Sequence, residues 1–388
     1  MSEYQYYEFV AIDEPLTPKQ MAELRSRSSR ANITPTSFVN DYQWGDLKGD
    51  PVDWMRKYFD AHVYVANWCT CYLYLRVPKD AFDAGTLQVF ETESVFSVDG
   101  TKTHWLLEWT LSENDNYDRF AQEDGRGWMG RLTPLRDELL RGDMRSLYLG
   151  WLAAVSTGEV DDEATEPPPP AGLSRLTAAQ RSLAEFLEVD EDLLTAAAIS
   201  DQQAVEPDSK SDAKLDAWIA ELPTAENTVM LKLLLTGHAQ QAERRLRLRY
   251  LAWQREQRPK GEAELRRRTV AELQTLAGSA AETRKMQEAA QRTRAEAKRQ
   301  AERESYLRTL AADFDRCWQV ADKRAERGIA SAYEEVKRTL VELSEAYSLC
   351  ASRADFERKL VQFMARHGKR GALVRRLAEA RLWKNPHQ

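Results

Sequence analysis

Apolar positions change their period along the chain. Over roughly the first 111 residues they form short runs rich in aromatic and β-branched side chains. Beyond residue 134 they recur every three or four positions. The first pattern predicts strands and the second helices. Residues 4–12 (YQYYEFVAI) predict a strand. Thr17-Pro18 then opens a helix, with Thr17 as its cap and Met21 and Leu24 turned inward. Residues 32–42 read as extended, because Pro35 keeps Thr34 out of the helical region. Asp50-Pro51 opens a second helix through Trp54, Tyr58 and Phe59, and residues 62–66 and 71–77 are strand-like. Residues 86–98 and 101–111 predict a hairpin turning at Asp99-Gly100. Helices are expected at 134–140 and 144–155. This order predicts an α+β domain over residues 1–157, with helices on one face of the sheet.

The remainder reads as all-α. Residues 158–173 hold five acids and four consecutive prolines, which predicts an extended acidic linker. A small helical module is expected over 174–239, with Ser174 or Thr177 capping its first helix. Leu215, Trp218, Ile219 and Leu222 recur at helical spacing before Pro223, and Val229, Met230, Leu233 and Leu234 follow. Residues 240–308 predict a long charged arm, kinked near Pro259. From 262 to 308 there is no proline and one glycine, Gly278; a single helix of that length spans roughly 70 Å. Leu265, Val270, Leu273, Leu276 and Ala280 trace a seam, which thins to Met286, Ala290, Thr293, Ala297 and Ala301. Steps of three and four are those of a coiled coil. Alanine knobs bury little, so the second half is expected to be solvated or loosely paired, with self-association through the arm left open. Residues 309–388 predict a C-terminal helical bundle, with Val336, Leu340, Leu343 and Tyr347 inward, a cap at Ser352 and a left-handed glycine at Gly368.

Composition narrows the setting. No window approaches the ~20 apolar residues of a membrane helix, and the acidic, aromatic start lacks the basic region of a signal peptide. Four cysteines in 388 residues are no disulfide framework, so a cytoplasmic setting is expected. The net charge of −7 conceals a polarity. Residues 1–239 carry 21 basic and 41 acidic side chains, whereas residues 240–388 carry 34 and 21. The two halves can dock on each other or serve partners of opposite sign; long helices also simply collect Arg and Lys.

Motifs for chemistry are sparse. Trp44, Asp46, Lys48, Asp50 and Trp54, with Gly45 and Gly49 between them, form a candidate ligand or partner loop. The same residues also suit a plain turn, with aspartate caps and core tryptophans. The spacing fits neither a calcium loop nor a phosphate loop. Cys69 and Cys71 share a predicted strand face without a second pair, so no metal is expected, and His104 can meet Glu91 or Glu93 across the hairpin. No nucleophile elbow occurs; no catalytic residue and no cofactor are assigned. Two basic groups, Arg266, Arg267 and Arg268 and then Lys369, Arg370, Arg375 and Arg376, are the candidate surface for nucleic acid or an acidic partner. Ordinary i,i+4 pairing explains them as well.

The segments YYEFVAIDEPLT, ITPTSF and WGDLKGDP, within the first ~80 residues, resemble the start of a family of uncharacterised bacterial proteins. That resemblance implies no activity. The expected role is a non-enzymatic protein–protein interaction or scaffold subunit of a bacterial cytoplasmic assembly. The alternatives are sequence-independent nucleic-acid binding by the basic helical half, and an enzyme with an unfamiliar site in the N-terminal domain. A polar pocket gathering Trp44, Asp46, Lys48 and His62 would favour the last.

Overall fold

The structure, a computed structural model, describes residues 3–112, 124–199, 211–256 and 267–383. It divides into two compact units, Met1–Glu282 and Thr283–Gln388. The first unit begins with β1 (Gln5–Val10), α1 (Pro18–Arg27), β2 (Asn32–Thr34), β3 (Ser37–Tyr42), α2 (Pro51–Lys57), β4 (Ala61–Ala66) and β5 (Cys71–Pro78). It continues through α3 (Ala84–Gln88), β6 (Phe96–Gly100), β7 (His104–Leu111), α4 (Trp128–Leu132), α5 (Pro134–Leu140) and α6 (Arg145–Ser156). Then come α7 (Ala178–Phe186), α8 (Glu191–Ala198), α9 (Ser211–Glu221), α10 (Thr224–Leu235) and α11 (Ala239–Glu256). Helix α12 (Val270–Ala311) crosses the division, and α13 (Phe314–Glu326), α14 (Ala330–Cys350), α15 (Arg353–His367) and α16 (Gly371–Glu379) complete the second unit. The α+β domain, the long charged helix and the helical bundle are all present.

The sheet is antiparallel in the order β2-β3-β1-β4-β5-β7-β6. Its central strand β4 is buried at every position, which requires cover on both faces. Ala61, Val63 and Val65 face one core, with Leu73, Leu75, Leu107 and Trp109 beside them and α4–α8 above. Tyr64 and Ala66 face the other, where Phe9, Phe38, Phe59, Trp54, Met55 and Leu24 close over α1 and α2. Helices therefore cover both faces, in place of the single face expected. The short segment holding α1 and α2 carries too much aromatic surface to stay solvated.

Local capping follows the sequence closely. Thr17 and Gln20 form a reciprocal box at α1, and Asp50 accepts the Val52 N–H at 2.8 Å to open α2. The hairpin differs by a register. Asp99 and Gly100 lie within β6, opposite Leu106 and Trp105, and the turn is made by residues 101–103. Gly100 is glycine because a Cβ there would lie 2.8 Å from the Trp105 ring. Residues 86–88, expected at the start of a strand, belong instead to α3, with Asp83 as its cap.

Residues 158–173 do not stand off as a linker. Val160 and Ala164 pack against the first core, Pro167 is buried, and Leu173 joins that core fully. Thr165 bridges Thr269, and Val270 donates its N–H to the Ala164 carbonyl at 3.0 Å. The start of α12 is thereby fixed to the sheet domain, with Val270 and Leu273 inside its core. From residue 282 to 303 every side chain of α12 is exposed, as the alanine-rich seam implied. The kink expected near Pro259 lies outside the described residues. In the second unit Trp318, Tyr333, Val336, Leu340, Leu343, Phe356, Phe363 and Leu373 form a separate core. Gly368 ends α15 at φ −62°, so no left-handed cap forms there.

Candidate functional site

The residues singled out between Trp44 and Trp54 separate into two groups. Trp54 and Asp50 are structural. Trp54 is buried 4.9 Å from Phe38 and 5.4 Å from Phe9, and Gly49 leaves the space its indole fills. Trp44, Asp46 and Lys48 line a polar cleft of about 720 Å³, together with Arg27, Ser28 and Arg30 from the end of α1 and Asn40 and Asp41 from β3. Pairing between β2 and β3 stops at Asn32–Val39, and the chain ends flanking that pair diverge to form the cleft. Trp44 is 73% exposed.

The walls of the cleft are tied down from beneath. Asp46 accepts the Tyr7 hydroxyl at 2.6 Å and the Leu47 N–H at 2.7 Å. Gln5 donates to the Gly45 carbonyl at 2.9 Å. Burial, and after it the Asp46 hydrogen bond, push the Tyr7 phenol well above its ordinary range, so it stays a donor. On the other wall Arg25 gives hydrogen bonds to the carbonyls of Ser28, Ser29 and Ala31. Asn40 and Ser28 are both buried, and the Asn40 amide donates to the Ser28 hydroxyl at 3.2 Å.

His62 does not belong to this cleft. It is fully buried on the far side of β1, stacked 3.7 Å from the Phe9 ring, with Nδ1 2.9 Å from the Glu8 carbonyl. Burial lowers its pKa to about 3, against a smaller opposite effect of that carbonyl. His104 meets Thr103 at 2.8 Å, while Glu91 accepts from the Val98 N–H; the expected cross-strand pair is not made. Cys69 and Cys71 are buried, but Cys69 sits in a turn at φ 71° before the strand. Among the described residues no group of His, Cys, Asp or Glu is placed to hold a metal ion.

The basic residues also divide. Arg266 lies outside the described residues, and Arg267 is exposed. Arg268 is the guanidinium partner of Glu166, with both contacts at 2.7 Å, and it caps the end of α8 through the Ala196 carbonyl at 2.9 Å. Glu166 is 2% exposed and also accepts the Tyr148 hydroxyl. Burial opposes the Arg268 charge, but Glu166 outweighs it and raises the pKa. Arg370 donates to the Ala325 carbonyl at 2.5 Å and closes α13, while Arg376 pairs with Glu334 at 3.3 Å. Lys369 and Arg375 remain exposed. Arg268, Arg370 and Arg376 are thus engaged in internal contacts, each within its own unit.

An unforeseen feature is the surface of α10. None of its residues is buried. Leu231, Leu234 and Leu235 are exposed by 58%, 47% and 87%, and Val229 by 45%. From Val229 to Leu235 only Lys232 is polar, and α11 packs against the helix without burying any of its residues. Its neighbours pack properly: Trp218 lies 5.2 Å from Tyr250, and Trp253 donates to Glu221 at 2.7 Å. The sequence signal was present, since Thr228 and Lys232 are the only polar positions in TVMLKLLL, but periodicity alone assigns such a helix to a core.

No protein-family model, curated protein or solved structure matches this chain. No helix among the described residues is long and apolar enough to cross a membrane.

Proposed function

We propose that the chain is a non-enzymatic interaction subunit of a bacterial cytoplasmic assembly, binding a protein partner through the apolar surface of α10. The exposure of Leu231, Leu234 and Leu235 carries this reading. Contiguous exposed leucines are costly in water and mark an interaction surface. Burying one leucine side chain contributes on the order of 1.5–3 kcal/mol, so the three together suffice to anchor a partner that brings its own apolar face. The exposed midsection of α12, with Arg284–Glu288 and Lys298–Glu302 pairs along it, supplies a charged surface on the same chain.

The test places a photo-crosslinking amino acid at Leu235 and, as a control, at Glu302 in the full-length chain expressed in its host. A discrete adduct from position 235, lost in Leu231→Glu/Leu234→Glu chains of unchanged melting temperature, supports the reading. Identical adducts from both positions, or an adduct that survives the glutamate substitutions, rejects it. An adduct the mass of two chains would replace the partner with a second copy.

A further inference from the structure

We propose that the cleft beside Trp44 binds a mononucleotide, with its phosphates on Arg27, Arg30 and Lys48 and its base on the Trp44 indole. Charge is the first argument. Two carboxylates line the cleft, and both are engaged: Asp46 by Tyr7 and Leu47, and Asp41 by Arg126 at 3.7 Å. Arg27, Arg30 and Lys48 have no ion-pair partner within 4 Å among the described residues, although acids outnumber bases 29 to 16 over residues 1–166. In so acidic a domain, three unpaired cations around one opening are left for an anion from outside. Guanidinium and ammonium groups together suit a polyphosphate, which offers several oxygens at once.

The second argument is Trp44. Elsewhere in the same unit Trp54, Trp109, Trp128 and Trp151 are all buried in its cores. Trp44 is instead exposed and lines the cleft. An indole held beside a cationic pocket is a stacking platform for a base, and stacking of this kind tolerates any base. At the floor, Asn40 and Ser28 offer polar atoms for a ribose or a base edge. The Gln5–Gly45 and Tyr7–Asp46 bonds hold one wall and the Arg25 bonds the other, so the backbone of the cleft is already fixed and only the exposed side chains of Arg27, Arg30, Lys48 and Trp44 have to be ordered on binding. A volume of about 720 Å³ lies within the usual range for small-ligand clefts.

The experiment is calorimetric titration of the full chain with ADP, adenosine and inorganic pyrophosphate. ADP should bind at least about tenfold more tightly than either fragment, because phosphate and base contacts act together. Arg30→Ala/Lys48→Ala should weaken ADP and pyrophosphate alike by about tenfold or more. Trp44→Ala should weaken ADP by a similar factor and leave pyrophosphate unchanged. Each residue is exposed, and an unaltered melting temperature will show that the fold persists. Absence of ADP binding at millimolar concentration, or binding that all three substitutions leave intact, would overturn the proposal. Neither result bears on α10, which contributes no residue to the cleft.

Discussion

His62 shows what a single side chain can cost. Its ring lies between Phe9 and Tyr74, at 3.7 and 5.8 Å, and its Nε2 has no hydrogen-bond partner. Protonation would place an unpaired charge in an aromatic core, and burial accordingly drives the pKa to about 3. In the unfolded chain the same group titrates near 6.5. Between these values the unfolded state binds the proton and the folded state does not. Stability is therefore intact above about pH 6.5 and falls with pH towards 3, by about 1.4 kcal/mol per unit. His62→Phe should remove this slope. Urea titrations at pH 7, 6, 5 and 4 should show the wild type losing about 1 kcal/mol more per unit than the variant; parallel curves would refute the assignment. At this scale the sequence is least informative. Arg266, Arg267 and Arg268 are identical letters in a row, and nothing local marks Arg268 as internal. Its partner Glu166 stands 102 residues upstream. Trp44 and Trp54 likewise belong to one motif, yet one is exposed and the other is core.

Elements were more legible where their ends carry their own chemistry. Thr17, Asp50, Thr177, Asp190 and Ser352 all cap as their types require. The failures have a common cause: a residue type that serves a local turn also serves a distant contact. Gly100 looked like a turn glycine and instead makes room for Trp105. Residues 158–173 looked like a spacer, because acids and prolines bury no apolar surface of their own. Their role is to carry Glu166 to Arg268 and so to start α12, whose first turn is closed by a Thr269–Glu272 capping box. Glu166→Gln leaves the partly buried Arg268 without its counter-charge; breaking a fully buried pair costs about 3–5 kcal/mol, and partial solvation of the guanidinium brings this one to about 2–3 kcal/mol. Thr269→Ala removes only a cap, at about 1 kcal/mol. Denaturant midpoints of the two variants should rank in that order. Their double variant should fall short of the sum, since the residues act on one helix start. Equal small effects would mean that the segment is a spacer after all.

Across the whole molecule the two units keep separate cores, one pair about the sheet and one among α13–α16. The polarity of charge divides at a different place, near residue 240, and so does not mark the boundary. The chain passes from one unit to the other along α12, whose side chains from 282 to 303 are all exposed, with i,i+4 pairs such as Arg284–Glu288 and Lys298–Glu302 along it. A helix with no buried face transmits little cooperativity, so the units should unfold in separate steps. Calorimetry of the full chain should resolve two transitions. Leu340→Ala empties a site in the helical core and costs about 2–5 kcal/mol. It should lower one transition and leave the other fixed, while Glu166→Gln should do the reverse. Reciprocal movement would assign each transition to its core, and it would establish the exposed span of α12 as a mechanical connection between two independently folded bodies. A single transition displaced by either substitution would instead require that the two units unfold as one cooperative body.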